Sequence, residues 1–184
     1  SQTGHALADV LFGKVNPSGK LPFTFPVKLE DNAAHALNAY DPEDLTVEYK
    51  EGIFVGYRWA EKQQIRPLFA FGHGLSYTTF EYGQAQVADG VITIPVTNAG
   101  AMDGDEVVQV YVKAVADVDG PIKSLRGFER VNIKAGETVS VEIPFKADLF
   151  NPATGKMEQA SGDYIIYYGG TSDEAGLKQI TVTL

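Results

Sequence analysis

Residues 80–184 predict a mainly β fold built as a β-sandwich, and three observations carry that prediction. Apolar residues alternate at period two through the runs 81–87, 91–98, 105–113, 123–133, 138–145, 163–169 and 178–184. Turn residues separate most of them, at Asp89-Gly90, Asn98-Ala99-Gly100, Ala135-Gly136 and Ser161-Gly162-Asp163. Tyr164, directly after Gly162-Asp163, is placed like a tyrosine corner, whose hydroxyl ties a strand start to backbone upstream. Short, evenly spaced strands of this kind indicate a sandwich of the immunoglobulin or fibronectin type III sort.

Before that region the chain reads differently. His5 to Gly13 predicts a helix ending: Ala6, Leu7, Val10 and Leu11 recur at helical spacing, and Gly13 sits where a left-handed cap would fall. With little room for an N-terminal cap, this helix is expected to continue upstream. Asn16-Pro17-Ser18-Gly19 is turn chemistry. Residues 20–26 alternate, with Leu21, Phe23 and Phe25 on one side. Pro22 and Pro26 cannot donate ladder hydrogen bonds, so an edge strand or extended crossing is expected. Residues 27–48 predict a surface loop. Tyr49 to Trp59 predicts a second short extended element, and Glu61 to Gln64 a polar turn.

The stretch 65–80 joins the two regimes. It is rich in aromatics, has glycines on both sides of His73, and fits neither period, which predicts a buried crossing. In the sandwich beyond it, alternation turns Ile92, Ile94 and Val96 inward, with Val108, Val110 and Val112, and with Val139, Val141, Ile143 and Phe145. Pro95 and Pro144 fall on the opposite parity, so each strand needs a free edge or a bulge there.

Composition narrows the functions. The chain has 184 residues and a net charge of −9, which disfavours nucleic acid as a partner because phosphate binding needs a basic patch. No apolar run is long enough to span a bilayer as a helix, and no membrane partner is expected. Without cysteine there is no disulfide, thiolate catalysis or Cys-ligated zinc. His5, His35 and His73 are widely separated, and Asp103-Gly104-Asp105-Glu106 lacks calcium-loop spacing. Glycosidic hydrolysis needs two carboxylates flanking a cleft, and no pair here is singled out. Tyr57, Arg58 and Trp59 could stack on and hydrogen-bond a sugar, or pack as an aromatic–guanidinium cluster at an interface. His73, open to close approach between its glycines, is the fourth candidate for such contacts. No catalytic, cofactor-binding or metal-ligating residue is assigned.

Four N-terminal motifs together resemble the end of a glycoside hydrolase family 3 enzyme of the β-glucosidase-like kind. They are Gly4 to Gly13 (GHALADVLFG), Asn16 to Pro26 (NPSGKLPFTFP), Tyr49 to Arg58 (YKEGIFVGYR) and Pro67 to Thr78 (PLFAFGHGLSYT). Val96 to Gly100, Gly104 to Tyr111, Leu125 to Phe128 and Gly162 to Tyr164 resemble that family's fibronectin type III-like domain. The resemblance implies that residues 1–79 are the remnant of an α/β sandwich domain with its linker, and residues 80–184 the β-sandwich domain.

It also implies a larger parent, a retaining enzyme with a (β/α)₈ barrel that supplies a nucleophilic Asp and an α/β domain that supplies an acid/base Glu. Neither belongs to the motifs present here, so the chain is expected to be a non-catalytic portion supporting the catalytic domains. No cofactor is implied. The expected partners are the rest of the parent hydrolase and β-glucoside oligosaccharides, with the parent periplasmic or secreted. The apolar side chains of the first helix and of residues 20–26 want a partner; each left exposed forfeits roughly 1.5–3 kcal/mol. Residues 1–64 are therefore expected to be partly disordered, refolded against the sandwich, or buried between chains by self-association. The other reading of the whole chain is a carbohydrate-binding or scaffold sandwich module; an exposed aromatic row would have only Tyr111, Tyr167 and Tyr168 to draw on, and strand parity divides Tyr167 from Tyr168.

Overall fold

The computed structural model describes residues 2–39, 43, 47–151 and 153–184. Beyond residue 80 alternation becomes strands at the expected runs, with one split. They are β1 (Phe80–Tyr82), β2 (Gln86–Ala88), β3 (Val91–Asn98), β4 (Gly104–Ala114), β5 (Ser124–Ile133), β6 (Thr138–Pro144), β7 (Asp148–Asn151), β8 (Lys156–Gln159), β9 (Asp163–Gly169) and β10 (Leu177–Thr183). In one sheet, β3 pairs with β6 on one side and with β1 and β2, end to end, on the other. The second runs β10-β9-β4-β5, and all pairs are antiparallel. Ile92, Ile94, Val96, Val108, Val110, Val112, Val141, Ile143 and Phe145 fill the space between the sheets, with Tyr164, Ile166 and Tyr168 from β9. Val139 is only half-buried at the margin.

The strand expected over 81–87 is two strands, and Pro95 explains the break. With no N–H to give, Pro95 cannot complete a ladder, and its carbonyl accepts instead from Gly83 N at 2.7 Å. A Cβ on Gly83 would lie 2.9 Å from Pro95 Cβ. Pro144 closes β6, which pairs with β3 alone. The β7–β8 hairpin is an addition that the sequence reading missed. Tyr164 forms the corner: its hydroxyl donates to Ala160 O at 2.6 Å.

In the first segment α1 (Thr3–Leu11) ends as expected. Gly13 takes φ +72°, and Gly13 N to Val10 O (3.0 Å) with Lys14 N to Asp9 O (2.8 Å) makes a Schellman cap. Residues 20–26 form an extended crossing, antiparallel to 68–73. Leu21 N donates to His73 O, Gly72 N to Leu21 O, and Phe25 N to Phe69 O, each at 2.8 Å. Pro22 and Pro26 hold this pairing to a single bridge, Phe25 with Phe69.

The loop expected over 27–48 holds a 3₁₀ turn, Leu29–Asp31, and a short helix, α2 (Ala33–Ala36), capped by Asn32 Oδ1 accepting from Ala34 N at 3.0 Å. Residues 40–42 and 44–46 of that expectation lie outside the described residues. The extended element expected over 49–59 is corrected. The chain turns through 50–53, and Tyr57–Lys62 is a helix, α3, which also takes in part of the expected polar turn. Gly52 and Gly56 sit at φ +58° and +59°, which no strand tolerates, and helical geometry buries Trp59 and Ala60 together.

Candidate functional site

The crossing 65–80 lies on the outer face of the second sheet, and bare backbone lets it approach. Gly72 adopts φ +81°, and a Cβ there would stand 2.5 Å from the Gln109 amide and 3.0 Å from Thr171 Cα. Phe71 O accepts from Ser172 N at 2.8 Å and from Thr171 Oγ1 at 3.0 Å. Tyr111 alternates with Val110 and Val112, so it points away from the sandwich core, yet it is fully buried. Tyr57 covers it, meeting the Tyr111 ring edge-on at 5.7 Å and the Phe71 ring at 5.6 Å. The Tyr57 hydroxyl also accepts from Leu125 N at 2.9 Å.

Charges flank this contact. Lys123 pairs with Glu61, both largely withdrawn from solvent. Burial holds the Glu61 carboxyl above its usual range, and the Lys123 ammonium opposes that rise. Lys20 reaches Glu106 at 2.9 Å, and the same carboxylate accepts from Val107 N. Tyr82 lies beside it, its phenol proton held more tightly by burial and then by the Glu106 charge.

The four candidates separate in space. Tyr57 is in the packed contact just described. Trp59 is buried on the other side of α3, its Nε1 donating to Asp31 O at 3.1 Å beside a cavity of about 210 Å³. The His73 ring packs on Phe69 at 4.8 Å between centroids, while its own backbone pairs with Leu21 and Ala70. Arg58 lies 5.8 Å over the Tyr57 ring and lines an open groove of about 680 Å³ together with Arg126 and Phe150.

Other expectations are sorted in the same way. Tyr111 and Tyr168 are buried on opposite faces of the second sheet, so the three tyrosines do not make an exposed row. The acids of 103–106 hold protein donors: Asp103 takes Ala135 N, Asp105 takes Asn132 and Arg130, and Glu106 takes Lys20. Among the described residues, no three His, Asp or Glu side chains gather as a metal would require. Sequence reasoning missed Arg126. It is the extra residue of a bulge where the β4–β5 register shifts, between Val110 opposite Gly127 and Tyr111 opposite Leu125. Gly127 beside it was the available signal, since a Cβ there would press to 2.6 Å from Ile143 Cγ2.

Comparison with known proteins follows the same division. Residues 1–77 match the glycosyl hydrolase family 3 C-terminal domain, and residues 106–172 match a fibronectin type III-like domain. Thermostable beta-glucosidase B of Acetivibrio thermocellus is 47% identical over 188 aligned residues, spanning 96% of this chain and 25% of that protein. The crystal structure of DesR, a beta-glucosidase from Streptomyces venezuelae in complex with D-glucose, superposes with a TM-score of 0.89 at 35% identity, over 97% of this chain and 24% of that one. Beta-glucosidase from Kluyveromyces marxianus in complex with glucose does so at 0.84 and 41%, over 97% and 22%. The chain thus spans about a quarter of the length of these relatives. With one family model on each side of the crossing, and a fold shared along nearly its whole length, the chain belongs to glycoside hydrolase family 3.

Proposed function

We propose that the chain is the non-catalytic C-terminal portion of a retaining β-glucosidase-like hydrolase, and that it supports the domains that cleave the O-glycosidic bond. The observation that carries this reading is an exposed apolar surface concentrated in the first segment. None of α1 is buried, and Leu7, Leu11 and Phe12 are 58%, 66% and 83% exposed; Phe23, Leu68 and Leu75 are also largely exposed. Exposed apolar side chains gathered in this way mark an interaction site, and the remaining polypeptide of the parent would cover them, the relatives being about four times longer than this chain. Residues 1–79 then complete an α/β domain, and residues 80–184 form the fibronectin type III-like domain docked on it. Tyr57 serves the packing between these parts, and Trp59 and His73 the packing within the first, rather than a sugar. Substrates would be β-glucosides, as the relatives' names suggest, and the parent would work in the periplasm or outside the cell.

The test is turnover of 4-nitrophenyl β-glucoside. The 184-residue chain should give none, while the longer protein carrying it should hydrolyse the substrate. Hydrolysis by the chain alone would overturn the non-catalytic assignment. An inactive longer protein would overturn the β-glucosidase reading. Self-association through α1 is the competing fate of the apolar surface, and sedimentation of the chain at rising concentration reads it directly.

A further inference from the structure

We infer that the groove bordered by Arg58, Arg126 and the β7–β8 hairpin is an auxiliary binding site for a neutral oligosaccharide, separate from the places where Tyr57, Trp59 and His73 pack. Its shape comes from three elements: the start of α3, the loop 115–121 and the hairpin. The bulge in β5 brings Arg126 to it, held by a hydrogen bond from its Nη2 to Asp148 O at 2.8 Å. Arg58 also lines it, its guanidinium over the Tyr57 ring and its buried Nε without a hydrogen-bond partner among the described residues. Phe150 and Met157, 63% and 50% exposed on a hairpin with little else to pack against, form an apolar wall. Asp117 and Asp119 also line it.

The signs of these groups select the occupant. Guanidinium donors and carboxylate acceptors share one groove, so an anion meets Asp117 and Asp119 and a cation meets the arginines. A polyhydroxylated neutral ring satisfies both, because each hydroxyl donates and accepts, and its C–H face fits an aromatic wall. Lys113, a third cation in the lining, lies 4.0 Å from the Asp117 carboxylate, which offsets its charge. The volume of about 680 Å³ admits several sugar rings and lies within the usual range for ligand sites. The choice of a glucoside chain as ligand rests on the functional reading above; the existence of the site does not.

Cellotetraose, laminaritetraose and xylotetraose titrated separately into the 184-residue chain, followed by amide NMR shifts, test the inference. Shifts should cluster at residues 53–58, 113–126 and 149–157. Phe150→Ala and Arg126→Ala should each weaken binding by about tenfold or more, the loss expected when a central contact is truncated. Both variants should keep the wild-type pattern of core methyl shifts, which separates lost binding from lost fold. Absence of shifts with all three sugars would overturn the inference, as would shifts outside the groove or binding unchanged in both variants. Because the readout is binding by a chain expected to lack hydrolysis, its failure is distinguishable from failure of the glycosidase reading. Binding of xylotetraose alone would keep the site and reject the glucoside.

Discussion

A single carboxylate can be read for its effect on stability. The Asp105 carboxyl lies below the usual aspartate value, chiefly because Asn132 Nδ2 donates to it at 2.6 Å; burial opposes that lowering, and the Arg130 guanidinium adds to it. The native state therefore releases this proton at lower pH than the unfolded chain does. Its contribution to stability is present above the ordinary value of 3.8 and is lost as pH falls through the lowered native pKa. Glu61 runs the other way. Raised by burial, it favours the fold while protonated and loses that contribution as pH climbs from the usual carboxylate range through its native pKa. Asn132→Ala should move the Asp105 midpoint upward in a carboxyl-carbon NMR titration; an unmoved midpoint would assign the effect to Arg130 alone. Neither shift was legible in the sequence, because alternation places Asp105 on a face but says nothing of which cross-strand residue stands opposite it.

Among the elements, legibility tracked the periodicity of burial. Strands buried on one face, such as β3 and β6, carry clean alternation and were bounded closely. In β4 residues 108–112 are all buried because the crossing covers its outer face, so Tyr111 read as a candidate sugar platform although it is an interior residue. The β7–β8 hairpin has one exposed strand and no alternation to find. In 49–59, alternation indicated a strand, but Gly52, Gly56 and the burial of Trp59 outweighed it. The split between β1 and β2 was half legible: Pro95 predicts a defect, but not what repairs it. Tyr168, reaching across from the opposite sheet, donates to Gly83 O at 3.1 Å and accepts from Ala85 N at 3.2 Å. Tyr168→Phe keeps the ring and strands both backbone groups in the core, so a loss of about 2 kcal/mol or more is expected. Urea unfolding monitored by fluorescence measures it, and a loss below about 0.5 kcal/mol would mean that the gap is satisfied otherwise.

For the whole molecule the governing feature is the contact between the first segment and the sandwich. The crossing was predictable as a join from its aromatics and glycines, but the expectation that it is buried is corrected: of 65–80 only Gly72 is buried, while Leu68, Phe69, Leu75 and Tyr77 are exposed. Its partner surface needed the fold, because Gln109, Tyr111, Leu125 and Thr171 come from three separate stretches of sequence. Tyr57 concentrates that contact, with two ring neighbours and a hydrogen bond to the β5 backbone. Tyr57→Ala removes the ring, uncovers Tyr111 and leaves Leu125 N without its acceptor, a loss of about 3–5 kcal/mol by analogy with other buried aromatic truncations. That loss should be spatially divided. Glu61–Lys123 and Lys20–Glu106 still bridge the two parts, while the sandwich keeps its own core of residues from β3, β4, β6 and β9. Native-state hydrogen exchange should therefore show amides of 57–73 exchanging faster in the variant, with Ile94, Val110 and Ile166 still protected. If those core amides lose protection by the same factor, the first segment and the sandwich unfold as one cooperative unit, and the contact at Tyr57 is part of a single core rather than a join between two.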